Sequence, residues 1–186
     1  ITIGCFSECS SLEKVTIQSS IISIESSSFY KCSKLKEFSF PSSLTSIGKN
    51  AFAGCYSLNK LIIPKSITFI DNYAFDSCTS LKEITINPFI TKVSPNSFTK
   101  CSSLTHLIFD KSVESIQQYD LNIFNKITQI TIPDTVTVIN NNSFMKLQYL
   151  KKIIIPNSIK AIGSSCFFGC SSLCDVVIPN SVNSIG

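Results

Sequence analysis

The sequence predicts a repeat solenoid of eight 23-residue coils, and three observations carry that expectation. An aromatic position recurs at a fixed step of 23, through Phe6, Phe29, Phe52, Phe75, Phe98, Leu121, Phe144 and Phe167, with no insertion or deletion. Six further apolar columns keep register with it along the whole chain. Within each coil, apolar residues fall three and then two apart, the spacing of a turn that runs into a strand buried on one face.

Numbering each coil from its aromatic as position 1 assigns the columns in order. Position 4 holds Cys9, Cys32, Cys55, Cys78, Cys101, Phe124, Leu147 and Cys170. A column that accepts Phe and Leu is a buried apolar one. Position 7 is Leu in seven coils, with Ile127 the exception. Positions 10 and 12, such as Leu61 with Ile63, lie two apart and share the inner face of a strand, so position 11 points out. Together positions 7, 10 and 12 spell L-x-x-[IV]-x-[IF], the strand signature of leucine-rich repeats. Position 13 is Pro41, Pro64, Pro133, Pro156 and Pro179; proline lacks the N–H a ladder needs, so the strand is expected to stop there. Aliphatic residues at positions 16 and 19, as in Leu44 and Ile47, predict a second extended or turn segment. Position 15 is mostly Ser or Thr, whose hydroxyl can satisfy turn backbone. Gly48–Cys55 and Gly163–Cys170 read as one short helical turn. A parallel β-sheet is therefore expected on the concave face, with short turns, 3₁₀ pieces or second short strands on the convex one. No coil can enclose its own apolar face, so stacking makes the core. Residues 1–186 are expected to form a single domain, a segment of a longer array with uncapped ends.

Composition narrows the function classes. Apolar content of 44% and charge of 15% suit a folded core. A net charge of +4 without a run of five like charges gives no nucleic-acid footprint. Apolar runs reach three residues, as at Ile153–Ile155, against the roughly 20 of a membrane span.

The combined pattern A-F-x-x-C-x-x-L-x-x-I-x-I-P-x-[ST]-[IV]-x-x-I-G resembles the BspA-like leucine-rich repeat family. It is clearest from Ala51 through Pro64 to Ile70, and from Cys166 through Pro179 to Gly186. It weakens at Gln117–Asp120, and at Asn87 and Asp110, which stand where Pro is usual. The resemblance implies surface-displayed proteins of bacteria and parasitic protists, some similar to binders of extracellular-matrix components. The expected location is thus the cell surface or extracellular space, with an intracellular one left open. No site residue carries over, because the family's binding residues form no fixed motif.

Nine cysteines raise the question of disulfides or metal, but six stand at position 4, one per coil. There a free thiol serves as a small hydrophobe. Cys5, Cys166 and Cys174 fall outside the column, and Cys174 is the candidate reactive thiol. The Cys166–Cys174 run lacks partners at zinc spacing, so neither metal nor cofactor is expected.

Two surfaces are candidates for binding. Position 11 places Ile62, Ile108, Ile154 and Val177 outward on the concave sheet, among Thr and Ser, as an apolar stripe; strand propensity alone could also account for it. Phe69, Tyr73, Phe89 and Tyr119 form an alternative aromatic cluster at one edge. Position 9 alternates in charge through Lys14, Glu37, Lys60 and Glu83, either a recognition strip or a ladder that steadies the stack. With one histidine, His106, and no nucleophile or phosphate-binding motif, catalysis is not expected. The expected partner is a protein, with a matrix or cell-surface ligand in view. A structural spacer that self-associates end to end and an intracellular scaffold are the alternatives.

Overall fold

Alternation at positions 9 to 12 of each coil produces a short strand, and parallel stacking of these strands builds a first sheet. The structure is a computed structural model that describes residues 1–186 except Ser19, Pro88, Thr91, Gln118, Tyr119, Asp120 and Asn125, and of Asn122 only the backbone. It divides into two units, Ile1–Leu104 and Thr105–Gly186.

In the first unit, β1 (Lys14–Thr16), β3 (Glu37–Ser39), β5 (Lys60–Ile62) and β7 (Glu83–Ile86) belong to the first sheet. A second sheet stacks β2 (Ser23–Ile24), β4 (Ser46–Ile47), β6 (Phe69–Ile70) and β8 (Lys92–Val93). In the second unit the corresponding strands are β9 (His106–Phe109), β11 (Gln129–Thr131), β13 (Lys152–Ile154) and β15 (Asp175–Val177). Its second sheet holds β10 (Ser115–Ile116), β12 (Val138–Ile139), β14 (Ala161–Ile162) and β16 (Ser184–Ile185). Every pairing is parallel with a register of 23, as in Lys60 with Glu83 or Ile130 with Ile153. The solenoid class and the inward columns are thereby borne out.

Proline sets the strand length as expected. Where Pro41, Pro64, Pro133, Pro156 or Pro179 stands at position 13, the strand stops at position 11. Where Asn87 and Asp110 replace it, the strand runs one residue further, to Ile86 and Phe109. A parallel bridge at position 12 needs the N–H of position 13, which proline lacks; coil 1 has Gln18 there but still stops at Thr16, beside a rung that carries Pro41. Both replacements close the turn by side chain instead: Asn87 Oδ1 accepts from Phe89 N at 2.7 Å, and Asp110 Oδ1 from Ser112 N at 2.9 Å.

The connecting segment corrects one expectation. Positions 20 to 4 form turns, not a helical turn, and the helix among the described residues is the 3₁₀ piece Leu121–Ile123. Backbone φ is left-handed on both sides of the aromatic. Position 22 has it at Ser27, Asn50, Tyr73, Asn142 and Ser165, and position 3 at Glu8, Lys31, Gly54, Ser77, Lys100, Lys146 and Gly169. That twist turns amides along the stack. Phe29 N donates to Ala51 O at 2.7 Å, Lys31 N to Ala53 O at 2.7 Å and Ser27 N to Lys49 O at 2.9 Å. The turns are thus a third hydrogen-bonded ladder, which a helical turn would not provide.

Aromatic rings fill the interior at the same period. Phe6, Phe29, Phe52, Phe75 and Phe98 stack in sequence, with centroids 5.1 to 5.3 Å apart and planes within 10°. In the second unit Phe144 stacks on Phe167 at 5.5 Å, while Leu121 and Phe124 keep the core filled by exchanging bulk between positions 1 and 4. At position 15 the expectation holds in part. Ser43 and Thr135 hydroxyls donate to the carbonyls of Ile21 and Val113, but Ser66, Ser158 and Ser181 keep buried hydroxyls without a protein partner.

Phe52 is fully buried between two stacked rings, so Phe52→Ala is expected to cost about 3–5 kcal/mol in urea unfolding. Lys146 pays a left-handed penalty that glycine avoids, and Lys146→Gly is expected to gain about 0.5–1 kcal/mol. A loss on the second substitution would mean that its side chain, rather than its backbone, matters.

Candidate functional site

The outer face of the first sheet carries positions 9 and 11. Its charges are largely spent on one another. Lys14 binds Glu37 at 3.0 Å, Lys60 binds Glu83, Lys152 binds Asp175 at 3.4 Å, and Lys36 binds Glu13 at 2.9 Å, each between adjacent rungs. The Lys36 ammonium, by hydrogen bond and by charge, holds the Glu13 carboxyl below its usual range. Exposed pairs of this kind contribute about 0–1 kcal/mol each. His106 Nε2 lies 2.8 Å from Thr131 Oγ1 across neighbouring rungs.

Between these pairs the position-11 side chains stand out. Ile62 is 56% exposed in the first unit, and Ile154 is 64% and Val177 72% exposed in the second. Ile154 and Val177 are register partners. Ile108 departs from the expected stripe: it is half-buried, beside Thr131, its register partner and the residue that the His106 ring reaches. Shallow hollows adjoin the exposed members. In the second unit one of about 430 Å³ is lined by Lys152, Ile154, Asn157, Asp175, Val177 and Pro179, among others. In the first unit one of about 440 Å³ lies beside Phe38, Ser39, Phe40, Lys60, Ile62 and Pro64. It coincides with a gap in the ladder, since β3 pairs with β1 and β5 with β7, while β3 and β5 are not paired. Coil 2 carries Phe at both inward strand positions, where coil 3 has Leu61 and Ile63. Phe38 packs edge-on against Phe29 and Phe52, and Phe40 against Phe52. That extra volume is the local difference behind the gap. The Phe38–Phe40 pair was the sequence signal for it.

The edge aromatics are not drawn into one cluster. Phe69 lies in β6 with Lys92 Nζ over its ring at 5.4 Å, and it borders a hollow of about 390 Å³ with Ile3, Ser23, Glu25 and Ser46. Tyr73 occupies the left-handed turn position with φ 58°. Phe89 projects from the turn after β7 and is 53% exposed. No ring contact joins these three among the described residues, and Tyr119 lies outside the described residues. Tyr56, Tyr149 and Phe168 are exposed as well. The sequence reading missed them because Tyr56 and Tyr149 are single aromatics in columns that are mostly Ser or Thr, and Phe168 stands in a column with no recurring residue type.

All nine cysteines are free thiols. Cys32, Cys55, Cys78 and Cys101 are buried, Cys170 is half-buried, and Cys9 and Cys174 are exposed. Each inner thiol also donates to the position-1 carbonyl of the preceding coil: Cys32 to Phe6 O at 3.1 Å, Cys55 to Phe29 O at 3.3 Å, Cys101 to Phe75 O at 3.1 Å. That carbonyl already accepts one local amide, as Phe29 O does from Cys32 N, so the thiol uses its second lone pair. Burial pushes the Cys32 and Cys166 thiols up to about 11, and those of Cys55 and Cys78 further in the same direction. No group of three or more His, Cys, Asp or Glu side chains gathers to hold a metal among the described residues. Nor, among them, is any helix long and apolar enough to cross a membrane.

The BspA type leucine rich repeat region matches residues 1–125 and again 121–186. Among solved structures, a leucine-rich repeat protein from Bacteroides ovatus is 23% identical over all of this chain, with a TM-score of 0.48. This chain spans 54% of that protein's length. A leucine rich repeat protein of T. pallidum is 26% identical over 89% of this chain and 67% of its own, with a TM-score of 0.38. A leucine rich cell surface protein of Faecalibacterium prausnitzii is 18% identical over 94% of this chain and 75% of its own, with a TM-score of 0.36. No curated protein matches the sequence.

The thiols make a double prediction. At pH 8, Cys174 is expected to label with a maleimide at least about 100-fold faster than Cys55 or Cys78, since only thiolate reacts; uniform rates would contradict the buried column. A folded thiol near 11 holds its proton more tightly than an unfolded one near 9.0. Its contribution to stability is then fully present below about pH 9 and lost as pH rises toward 11. Cys32→Ala is expected to make that alkaline fall in stability shallower.

Proposed function

The chain belongs to the BspA-type leucine-rich repeat family, and from that premise we propose that it is a binding module for a protein partner, displayed at a cell surface. We assign the contact to the outer face of the first sheet, with Ile154 and Val177 as anchors in the second unit, Ile62 in the first and Ile108 at the margin.

One observation carries this choice. Ile154 has a coil on either side of it and is still 64% exposed, over a hollow whose flanking charges, Lys152 and Asp175, already neutralise each other. An apolar residue held rigidly on a strand, beside a polar rim, is the composition of an interface centre. The edge aromatics fit less well, because Phe69 already carries Lys92 and Tyr73 is committed to a strained turn. A repeat scaffold of this kind is typically a non-catalytic binding frame. Free cysteines would otherwise favour a reducing compartment, the basis of an intracellular scaffold reading. Burial removes much of that preference. Burial pushes the inner thiols up and keeps them protonated at neutral pH, which slows their oxidation, whereas Cys5, Cys9 and Cys174 are exposed and keep that preference. A matrix ligand is the finer form of the proposal.

The test pairs two double variants on a surface coated with extracellular-matrix protein, with folding checked by circular dichroism. Ile154→Lys with Val177→Lys is expected to fold and to lose at least about tenfold in retention, the effect of removing a central apolar anchor. Phe69→Ser with Phe89→Ser is expected to bind like the parent. The reverse outcome would move the site to the edge, and parental binding by both would overturn the binding reading in favour of a spacer.

A further inference from the structure

We propose that the outer face of the first sheet in the Ile1–Leu104 unit binds a second copy of this chain, face to face about a two-fold axis that runs parallel to the strands between β3 and β5. The proposal rests on the reading of this face as a binding surface and names its occupant in the first unit.

The order of charges carries the argument. Down position 9 the signs run plus, minus, plus, minus, through Lys14, Glu37, Lys60 and Glu83, and within one chain they pair as Lys14 with Glu37 and Lys60 with Glu83. A two-fold axis along the strands preserves strand direction and reverses coil order. Coil 1 then faces coil 4 of the other copy, and coil 2 faces coil 3. Lys14 meets Glu83 of the second copy and Glu37 meets its Lys60, so every contact in the column is between opposite signs. The same operation sets Glu13 opposite Lys82 at position 8. Centred on position 11, a two-fold axis along the stack would instead lay the charged column against Gln18, Pro41, Pro64 and Asn87 and leave it unmatched.

Shape agrees with charge at the axis. The axis passes through the gap between β3 and β5, where the hollow of about 440 Å³ has Phe38, Phe40 and Pro64 among its walls. Reversed coil order brings Ile62 of each copy opposite Ser39 of the other. A 56% exposed apolar side chain thus meets a small residue at the lip of a hollow of mixed lining, twice, by symmetry. Outside that, Thr16 faces Thr85, and neither obstructs the approach. Four rungs about 4.8 Å apart make a footprint well below the roughly 800 Å² per partner of stable complexes. The dimer is accordingly weak and sensitive to salt.

Sedimentation velocity of this chain, over a concentration series at low and at high salt, tests it without any outside ligand. It leaves Ile154 and Val177 untouched, so its failure is separable from that of the matrix-binding reading. The expected result is a monomer–dimer equilibrium that weakens with salt. Lys60→Glu and Glu37→Lys, both exposed substitutions, each set like charges opposite each other twice at the axis and are expected to raise the dissociation constant at least about tenfold. An equimolar mixture of the two variants is expected to recover the parent's association, because the exchanged signs complement each other only between copies. A parent that stays monomeric throughout, a single variant that associates as the parent does, or a mixture that stays dissociated would each overturn the proposal.

Discussion

Everything in this protein depends on a hydrogen-bond offset set by the coil length. Amides at positions 22, 1 and 3 reach carbonyls 22 residues ahead, as Asn50 does to Asn72, Phe52 to Ala74 and Gly54 to Asp76. Amides at position 17 reach back 23, as Thr68 does to Thr45, and those at position 20 reach back 24, as Asp71 does to Ile47. Within each unit, and apart from the gap between β3 and β5, neighbouring coils are thereby tied on three sides, and one added or missing residue would misalign all of them. The ring stack obeys the same spacing. Phenylalanines about 5.2 Å apart sit close to the rung distance of parallel strands, so packing and hydrogen bonding agree on one repeat. The left-handed residues are the cost of this arrangement, of the order of 1 kcal/mol at each non-glycine position.

Within that frame, side chains are chosen for what they do to backbone groups as much as for apolar volume. Cysteine at position 4 is small enough for the core and still donates to a carbonyl with a free lone pair, which neither Leu nor Ala can do. The serines at position 23 act alike: Ser28, Ser97 and Ser143 are buried, and each hydroxyl contacts a carbonyl of its own coil and one of the coil before. Asn87 closes by its carboxamide the turn that proline closes elsewhere, and donates from its Nδ2 to Pro64 O at 2.8 Å.

The columns that face inward were legible in the sequence because burial restricts residue type, and that restriction repeats. Strand ends were legible through proline for the same reason. The turn was not, because left-handed backbone at position 3 is occupied by Glu8, Lys31, Gly54, Ser77 and Lys146, which share no chemistry. Only the two glycines hinted at it, and a mixed column of polar residues resembles a helical turn equally well. Position 11 was partly legible. Its outward direction follows from alternation, yet the half-burial of Ile108 depends on a neighbouring rung, and the hollow beside Ile62 depends on how two phenylalanines expand one coil. Both are properties of adjacent coils together, which a column-by-column reading does not contain.

On the proposed reading the binding surface is a by-product of the scaffold: wherever charges in adjacent rungs cancel, the apolar residue between them is what a partner would meet. A rigid scaffold of this kind requires the turns to be a true ladder rather than open loops, and native-state hydrogen exchange measures this directly. The amides of Phe29, Lys31, Phe52 and Phe75 are expected to exchange as slowly as those of the paired strand residues Leu61 and Ile130, because each is bonded to the next coil. Exchange of these turn amides at the rate of free loops, with the strand amides still protected, would contradict it.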